Sequence, residues 1–168
     1  ITKLKEYLKE SFLEAVKKTA DKYAKVQADK VLEFEDYLKK AIKTESGLKF
    51  AYIRKSNNPK PAAGTKVMFS YAGYFTNGDL FDTNYADVAK AFGKYDINRD
   101  RQSGYAPVPF PYGKKDGLIP GFIEGMEKMA VGDKIILFIP SYLGYGERGM
   151  QGAIPPNTDL VFEMELTK

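Results

Sequence analysis

The chain contains neither Cys nor His among its 168 residues. Thiol nucleophiles, disulfides, imidazole bases and zinc sites built on those ligands are therefore excluded. What can act is a set of carboxylates, cations and hydroxyls, together with 12 Tyr and 11 Phe. The stretch that stands out is Gly144–Phe162, GYGERGMQGAIPPNTDLVF. It carries Tyr145, Met150, Ile154 and a proline pair on a loop that leads directly into an alternating apolar strand. Apolar and aromatic side chains on a stiffened loop beside a sheet suggest the wall of a pocket. Elsewhere Tyr71 and Phe81 lie on strands, Asp82 follows Phe81 directly, Phe122 opens a helix and Phe162 sits on the last strand. Pattern alone leaves each residue two readings. The aromatics suit core packing as well as a pocket, and Asp82 suits a turn cap. Tyr145 suits turn packing, and Pro155-Pro156 a rigid lead into the strand.

The elements that must position these residues follow from periodicity. Residues 2–43 read as helix, one continuous rod or two abutting ones. Ile1, Leu4, Leu8, Phe12, Ala15, Val16, Ala20, Tyr23 and Ala24 recur at three- and four-residue spacing, and Val31, Phe34, Leu38, Ala41 and Ile42 resume the stripe. Such a stripe needs a partner: another helix of the chain, or the same helix of a second copy. Gly47 is the expected helix stop. Strands are expected at 48–54, 66–75, 80–82, 134–139 and 159–167, with an extended segment at 107–112 and one short helix at 122–129. Asn77-Gly78 centres a hairpin turn. Residues 83–106 are polar and form a connection too long for an ordinary loop, with a short helix suggested at 86–92. One helix among antiparallel strands predicts an α+β fold. Two parts are expected: a helical extension over 1–45, acting as spacer or dimerisation arm, and a domain over 46–168 interrupted by an insertion at 83–106.

The charge balance is +4 overall. Residues 1–60 hold fifteen basic and nine acidic residues, whereas 61–168 hold eleven and thirteen. Acidic residues interleave with the basic ones, which reads as a solvated helix surface and not as a nucleic-acid site. No apolar run is long enough to span a membrane. The chain opens on Ile1 and not on Met, which raises the expectation of a processed product and hence of a periplasmic or envelope location, with the cytoplasm as the alternative.

The motifs taken together are more specific than any one of them. Val67-Met68-Phe69-Ser70-Tyr71-Ala72-Gly73, Asn77-Gly78-Asp79-Leu80-Phe81-Asp82, Leu118-Ile119-Pro120-Gly121-Phe122 with Glu124-Gly125-Met126, Val131-Gly132-Asp133, and Tyr145-Gly146 through Ile154-Pro155-Pro156 to Leu160-Val161-Phe162 follow one another in order to the C-terminus. In this, residues from about 46 onward resemble the FKBP-type peptidyl-prolyl cis-trans isomerases, specifically bacterial members with an N-terminal helical extension. The resemblance implies a bent antiparallel sheet half-wrapped around one short helix, with an aromatic pocket between them. It implies that Tyr71, Phe81, Ile119, Tyr145 and Phe162 line a proline pocket, that Phe122 forms its floor, and that Asp82 is the carboxylate beside it. Leu118 and Ile154 match apolar rim positions, and Val108 stands where an aromatic is often found. The backbone N–H after Leu118 and the Tyr145 hydroxyl match groups that hold substrate carbonyls. Asp82, Tyr145 and Phe81 thus become the candidate catalytic residues.

The sequence also departs from the family pattern. Residues 83–106 are much longer than the equivalent in minimal members, leaving Arg99 and Arg101 as candidates for the usual Arg partner of the Asp. Met150 and Ala153 differ from the usual rim residues. The implied ligands are proline-containing segments of client proteins and the family's macrolide inhibitors. No cofactor is expected, and a homodimer through the N-terminal helix is the implied assembly. The alternative is a non-catalytic peptide-binding or chaperone module that uses the same pocket.

Overall fold

The computed structural model describes residues 2–168. Its elements in order are α1 (Thr2–Leu38), β1 (Ile42–Lys43), β2 (Lys49–Arg54), β3 (Lys66–Phe75), β4 (Leu80–Thr83), α2 (Ala86–Ala91), α3 (Ile97–Arg101), β5 (Val108–Pro111), α4 (Pro120–Met126), β6 (Lys134–Ile139), a 3-10 turn at Ser141–Leu143, and β7 (Leu160–Thr167). Every strand pairing is antiparallel, in the order β1-β2-β6-β7-β3-β4, with β5 also pairing to β3. The α+β expectation holds, as do the strands at 66–75 and 134–139.

Period-two alternation sorts the sheet into two faces. Phe50, Val67, Phe69, Leu137, Phe162 and Met164 point to one face and pack against α4 through Phe122 and Met126. Two glycines on one side of α4 allow it to lie close to β6. A Cβ on Gly121 would come within 2.7 Å of Ile139, and one on Gly125 within 2.5 Å of Leu137. On the opposite face Ala51, Ala72, Tyr74, Ile136 and Val161 form a second core with Phe34 of α1. The insertion adds to that face as well, with Phe92 lying 5.4 Å from Tyr74 between ring centroids.

Helix α1 is one rod of 37 residues, roughly 55 Å at 1.5 Å per residue. Only its second half is docked. Residues 2–22 are exposed, whereas Tyr23, Val26, Gln27, Lys30, Val31, Phe34 and Tyr37 turn one face to the domain. Docking uses apolar and polar contacts together. Gln27 donates to the Asn77 carbonyl at 2.9 Å, and Lys30 pairs with Glu163 at 3.3 Å while lying over the Tyr74 ring. The first half leaves Leu4, Leu8, Phe12 and Val16 exposed. They recur at four-residue steps, which keeps Phe12 and Val16 in line with the docked face and lets Leu8 and Leu4 drift away from it. Ile1, the first member of the expected stripe, lies outside the described residues.

The bounds of two expected helices are corrected. The helix does not run to residue 43: it ends at Leu38, and Ile42–Lys43 pairs with Phe50 and Lys49. Gly47, with φ +100°, therefore serves the turn between β1 and β2 and is no helix cap. The short helix begins two residues earlier than expected, with Pro120 in its first turn, and ends at Met126. Proline suits that position because its missing N–H has no helical partner there anyway. Helix α3 adds an element that the periodicity does not show. It is capped by Asp96, whose carboxylate accepts from the Asn98 and Arg99 N–H groups.

Candidate active site

Between α4, β3, β4, β7 and the Gly144–Phe162 loop lies a cavity of about 650 Å³, lined by Phe69, Tyr71, Phe81, Asp82, Val108, Gly117, Leu118, Ile119, Pro120, Phe122, Tyr145, Met150 and Phe162. Its floor is a set of edge-to-face rings. Phe122 and Phe162 stand 5.3 Å apart between centroids, Phe81 and Phe162 5.5 Å, and Tyr71 and Phe122 6.2 Å. That geometry suits the ring quadrupoles and fixes the rings against one another. Gly73 on β3 makes room for two of them, since a Cβ there would sit 2.6 Å from Phe81 and 2.8 Å from Phe162.

One edge of the cavity is polar. The Asp82 carboxylate accepts from the Tyr71 hydroxyl at 2.6 Å, from the Arg99 guanidinium at 2.8 Å and from the Thr83 N–H at 2.9 Å. Arg99 and not Arg101 is thus the partner of Asp82, and the insertion supplies it on α3. Arg99 is itself held by the Gly104 carbonyl at 3.1 Å and by the Tyr105 ring, 4.9 Å from its guanidinium carbon. Tyr105 stacks in turn on Tyr95. The Arg99 and Asp82 side chains are 34% and 40% exposed. An ion pair this wet adds little stability, so its effect is to aim the carboxylate.

The two phenols beside Asp82 remain protonated. Burial, and then the hydrogen bond to Asp82, pushes the Tyr71 hydroxyl well above the usual tyrosine value. Burial and then the charge of Asp82 move Tyr145 in the same direction. Both are donors at neutral pH. Tyr71 spends its proton on Asp82, whereas no hydrogen bond from the Tyr145 hydroxyl is present among the described residues. The Ile119 N–H is likewise left open, because Ile119 caps α4 with only its carbonyl, which accepts from Phe122 and Ile123. The cavity therefore presents two unengaged donors above an apolar floor.

Of the residues singled out from sequence, Tyr71, Phe81, Asp82, Val108, Leu118, Ile119, Phe122, Tyr145 and Phe162 meet around this one cavity. Ile154 does not. It is 4% exposed and packs in the main core, its backbone bridged to Met150, which takes the rim position instead. Phe69, Gly117 and Pro120 line the cavity in addition to the residues expected there. For Phe69 the sequence holds a signal, since it shares the β3 face with Tyr71 at period two.

The chain belongs to the FKBP-type peptidyl-prolyl cis-trans isomerase family, whose family model matches residues 57–167. Among its relatives is the FKBP-type 22 kDa peptidyl-prolyl cis-trans isomerase of Escherichia coli K12, 39% identical over 123 residues, covering 73% of this chain and 50% of that protein. FkpA of Escherichia coli K12 is 32% identical over 164 residues, covering 94% of this chain and 53% of FkpA. FK506-binding protein 1 of Dictyostelium discoideum is 36% identical over 120 residues, 71% of this chain and 95% of that protein. The chain thus spans about half the length of the two bacterial relatives. Among solved structures, the crystal structure of FkpA from Escherichia coli matches with a TM-score of 0.57 and 29% identity, over 97% of this chain and 70% of that one. Among the described residues, no helix is long and apolar enough to cross a membrane.

Proposed function

We propose that the chain accelerates rotation about Xaa-Pro peptide bonds in extended or unfolded protein segments. The observation that carries this reading is an aromatic-floored cavity lined by Tyr145 and Ile119, whose donors, Tyr145 Oη and Ile119 N–H, are unengaged among the described residues. An amide resists rotation because its resonance must be broken, at a cost of about 18–20 kcal/mol, so Xaa-Pro bonds turn over in tens to hundreds of seconds unaided. No bond is made or cut. The task is to bind the twisted amide better than the planar one.

Each part of the cavity has a role in this. The planar amide is the more polar form, so the apolar floor of Phe81, Phe122 and Phe162 favours the twisted form relative to water. Tyr71 and Val108 complete the apolar surround, and Leu118 and Met150 form its rim. Tyr145 and the Ile119 N–H hold the carbonyls that flank the proline. Asp82, oriented by Tyr71 and Arg99, polarises the region near the amide, and no proton transfer is assigned to it. Clients are proline-containing segments, and the family's macrolide inhibitors compete for the same cavity.

The test is kcat/KM on short Xaa-Pro peptides. Tyr145→Phe removes one donor and leaves the ring, and is expected to lower kcat/KM about tenfold, equivalent to about 1.4 kcal/mol of transition-state binding. Wild-type activity in this variant would remove Tyr145 from the mechanism.

The exposed stripe of α1 supports a second element of the reading. Leu4, Leu8, Phe12 and Val16 form an exposed stripe beyond the docked half with nothing against them among the described residues, and a second copy of α1 is the occupant we assign. Removing residues 2–22 is expected to convert a dimer into a monomer, as read by light scattering. It should change the domain's stability by no more than about 0.5 kcal/mol, because those residues touch nothing in it. An untruncated chain that is monomeric at high concentration would contradict the assignment.

A further inference from the structure

Strands β4 and β5 pair with the same edge of β3 but leave a gap between them. β5 pairs with Lys66–Phe69 and β4 with Ala72–Tyr74, so Ser70 and Tyr71 lack a strand partner on that side. The insertion departs and returns at this gap. The side chain of Asn84, only 5% exposed, fills it. Asn84 Oδ1 accepts from the Tyr71 N–H at 2.7 Å, and Nδ2 donates to the Phe69 carbonyl at 3.2 Å and the Ala106 carbonyl at 3.0 Å. Its own N–H donates to the Tyr71 carbonyl at 3.2 Å, which also accepts from Thr83 Oγ1 at 2.7 Å. A single amide thus replaces the missing strand, and it joins both ends of the insertion to the backbone of two cavity-lining residues.

We infer that Asn84 is a positioning residue for the isomerase reaction, acting through Tyr71 on Asp82; the inference rests on the proposed isomerase activity. The chemistry is specific to asparagine. The gap needs one acceptor facing an N–H and donors facing two carbonyls, a combination that an aspartate, a leucine or an alanine cannot supply. Without it three backbone groups, one buried and two part-buried, lose this partner. Tyr71 is then free to shift, and its 2.6 Å bond to Asp82 is the contact that a displacement of a few tenths of an ångström weakens first. The insertion does more than carry Arg99 to the site, because its anchor point also fixes the second donor to the same carboxylate.

The experiment is a double-mutant cycle on kcat/KM with an Xaa-Pro peptide, using Asn84→Ala, Tyr71→Phe and the double variant. Amide exchange at Tyr71 is measured alongside. Asn84→Ala is expected to lower kcat/KM about tenfold, and the double variant is expected to be no worse than Asn84→Ala alone, since both remove the same Tyr71–Asp82 placement. Tyr71 amide exchange should quicken in Asn84→Ala. Losses that multiply in the double variant, wild-type kcat/KM in Asn84→Ala, or unchanged Tyr71 exchange would each overturn the inference. Asn84→Ser, which keeps one hydroxyl in the gap, undergoes the same comparison if the alanine variant does not fold. A wild type with no isomerase activity would fail the isomerase reading itself, and with it the positioning role of Asn84.

Discussion

Replacing Gly73 with valine is expected to remove about 99% of kcat/KM while leaving a folded protein. A hundredfold loss corresponds to about 2.7 kcal/mol of transition-state binding. The new Cβ would lie 2.6 Å from Phe81 and 2.8 Å from Phe162, well inside contact distance. Phe162 has no room to retreat, being 4% exposed and wedged against Phe122. The rings must therefore move toward the cavity and close its floor. The strand itself tolerates valine, because β-branched residues suit extended backbone, and overpacking of this kind costs about 1–3 kcal/mol in stability. Activity measured well below the unfolding midpoint separates the two effects. If Gly73→Val turned over peptides at the wild-type rate, the proline would have to sit somewhere other than over these rings.

Asp133→Ala is expected to cost about 3 kcal/mol of folding stability at neutral pH, given two charge-assisted bonds lost and two buried donors stranded. Asp133 is 1% exposed and accepts from the Ser56 N–H at 2.6 Å and the Ala130 N–H at 2.9 Å. In this way it ties the loop after β2 to the turn before β6. Burial works to raise its pKa, but the Ala130 and Ser56 N–H groups outweigh burial and hold the carboxyl below the usual carboxylate range. A depressed folded value means that this stability is fully present above the unfolded value of about 3.9. It is lost as pH falls through the lower folded value. Glu165 is held low as well: burial works to raise it, and the Tyr85 hydroxyl and Arg54 outweigh burial. The acid sensitivity of the wild type is therefore shared, and the difference between wild type and variant isolates Asp133. Denaturant titrations should show that difference shrinking below about pH 4. A gap that stays constant into acid would mean that the carboxylate's charge is not what the loop depends on.

Much of this site is readable because its walls come from local, periodic elements. Tyr71, Phe81 and Phe162 sit on strands whose alternation is visible in the sequence, and Phe122 follows a Pro-Gly helix start. What cannot be read is set by contacts far apart along the chain. The end of α1 at Leu38 depends on Ile42–Lys43 finding β2, a tertiary pairing that overrides a helical pattern extending to residue 42. Ile154 looks like a rim residue because it borders Pro155-Pro156, yet it is buried in the main core, while its bridge partner Met150 lines the cavity. Arg99 and Arg101 are two residues apart on one short helix and so point in different directions. The Asp96 cap, the Gly104 carbonyl and the Tyr105 ring together decide which one meets Asp82. Asn84 leaves no signal at all, since its three side-chain bonds reach 13, 15 and 22 residues away.

The twisting of an Xaa-Pro amide that we propose for this cavity can be observed on the bond itself. Exchange between the cis and trans resonances of a proline peptide can be followed by NMR with a small fraction of an equivalent of the chain. The unaided bond interconverts over tens to hundreds of seconds. With the chain present, exchange cross-peaks are expected within about a second of mixing, and Gly73→Val should abolish them. Exchange no faster than in buffer, from a folded chain that still binds the peptide, would contradict the claim and leave a peptide-binding module in place of an isomerase.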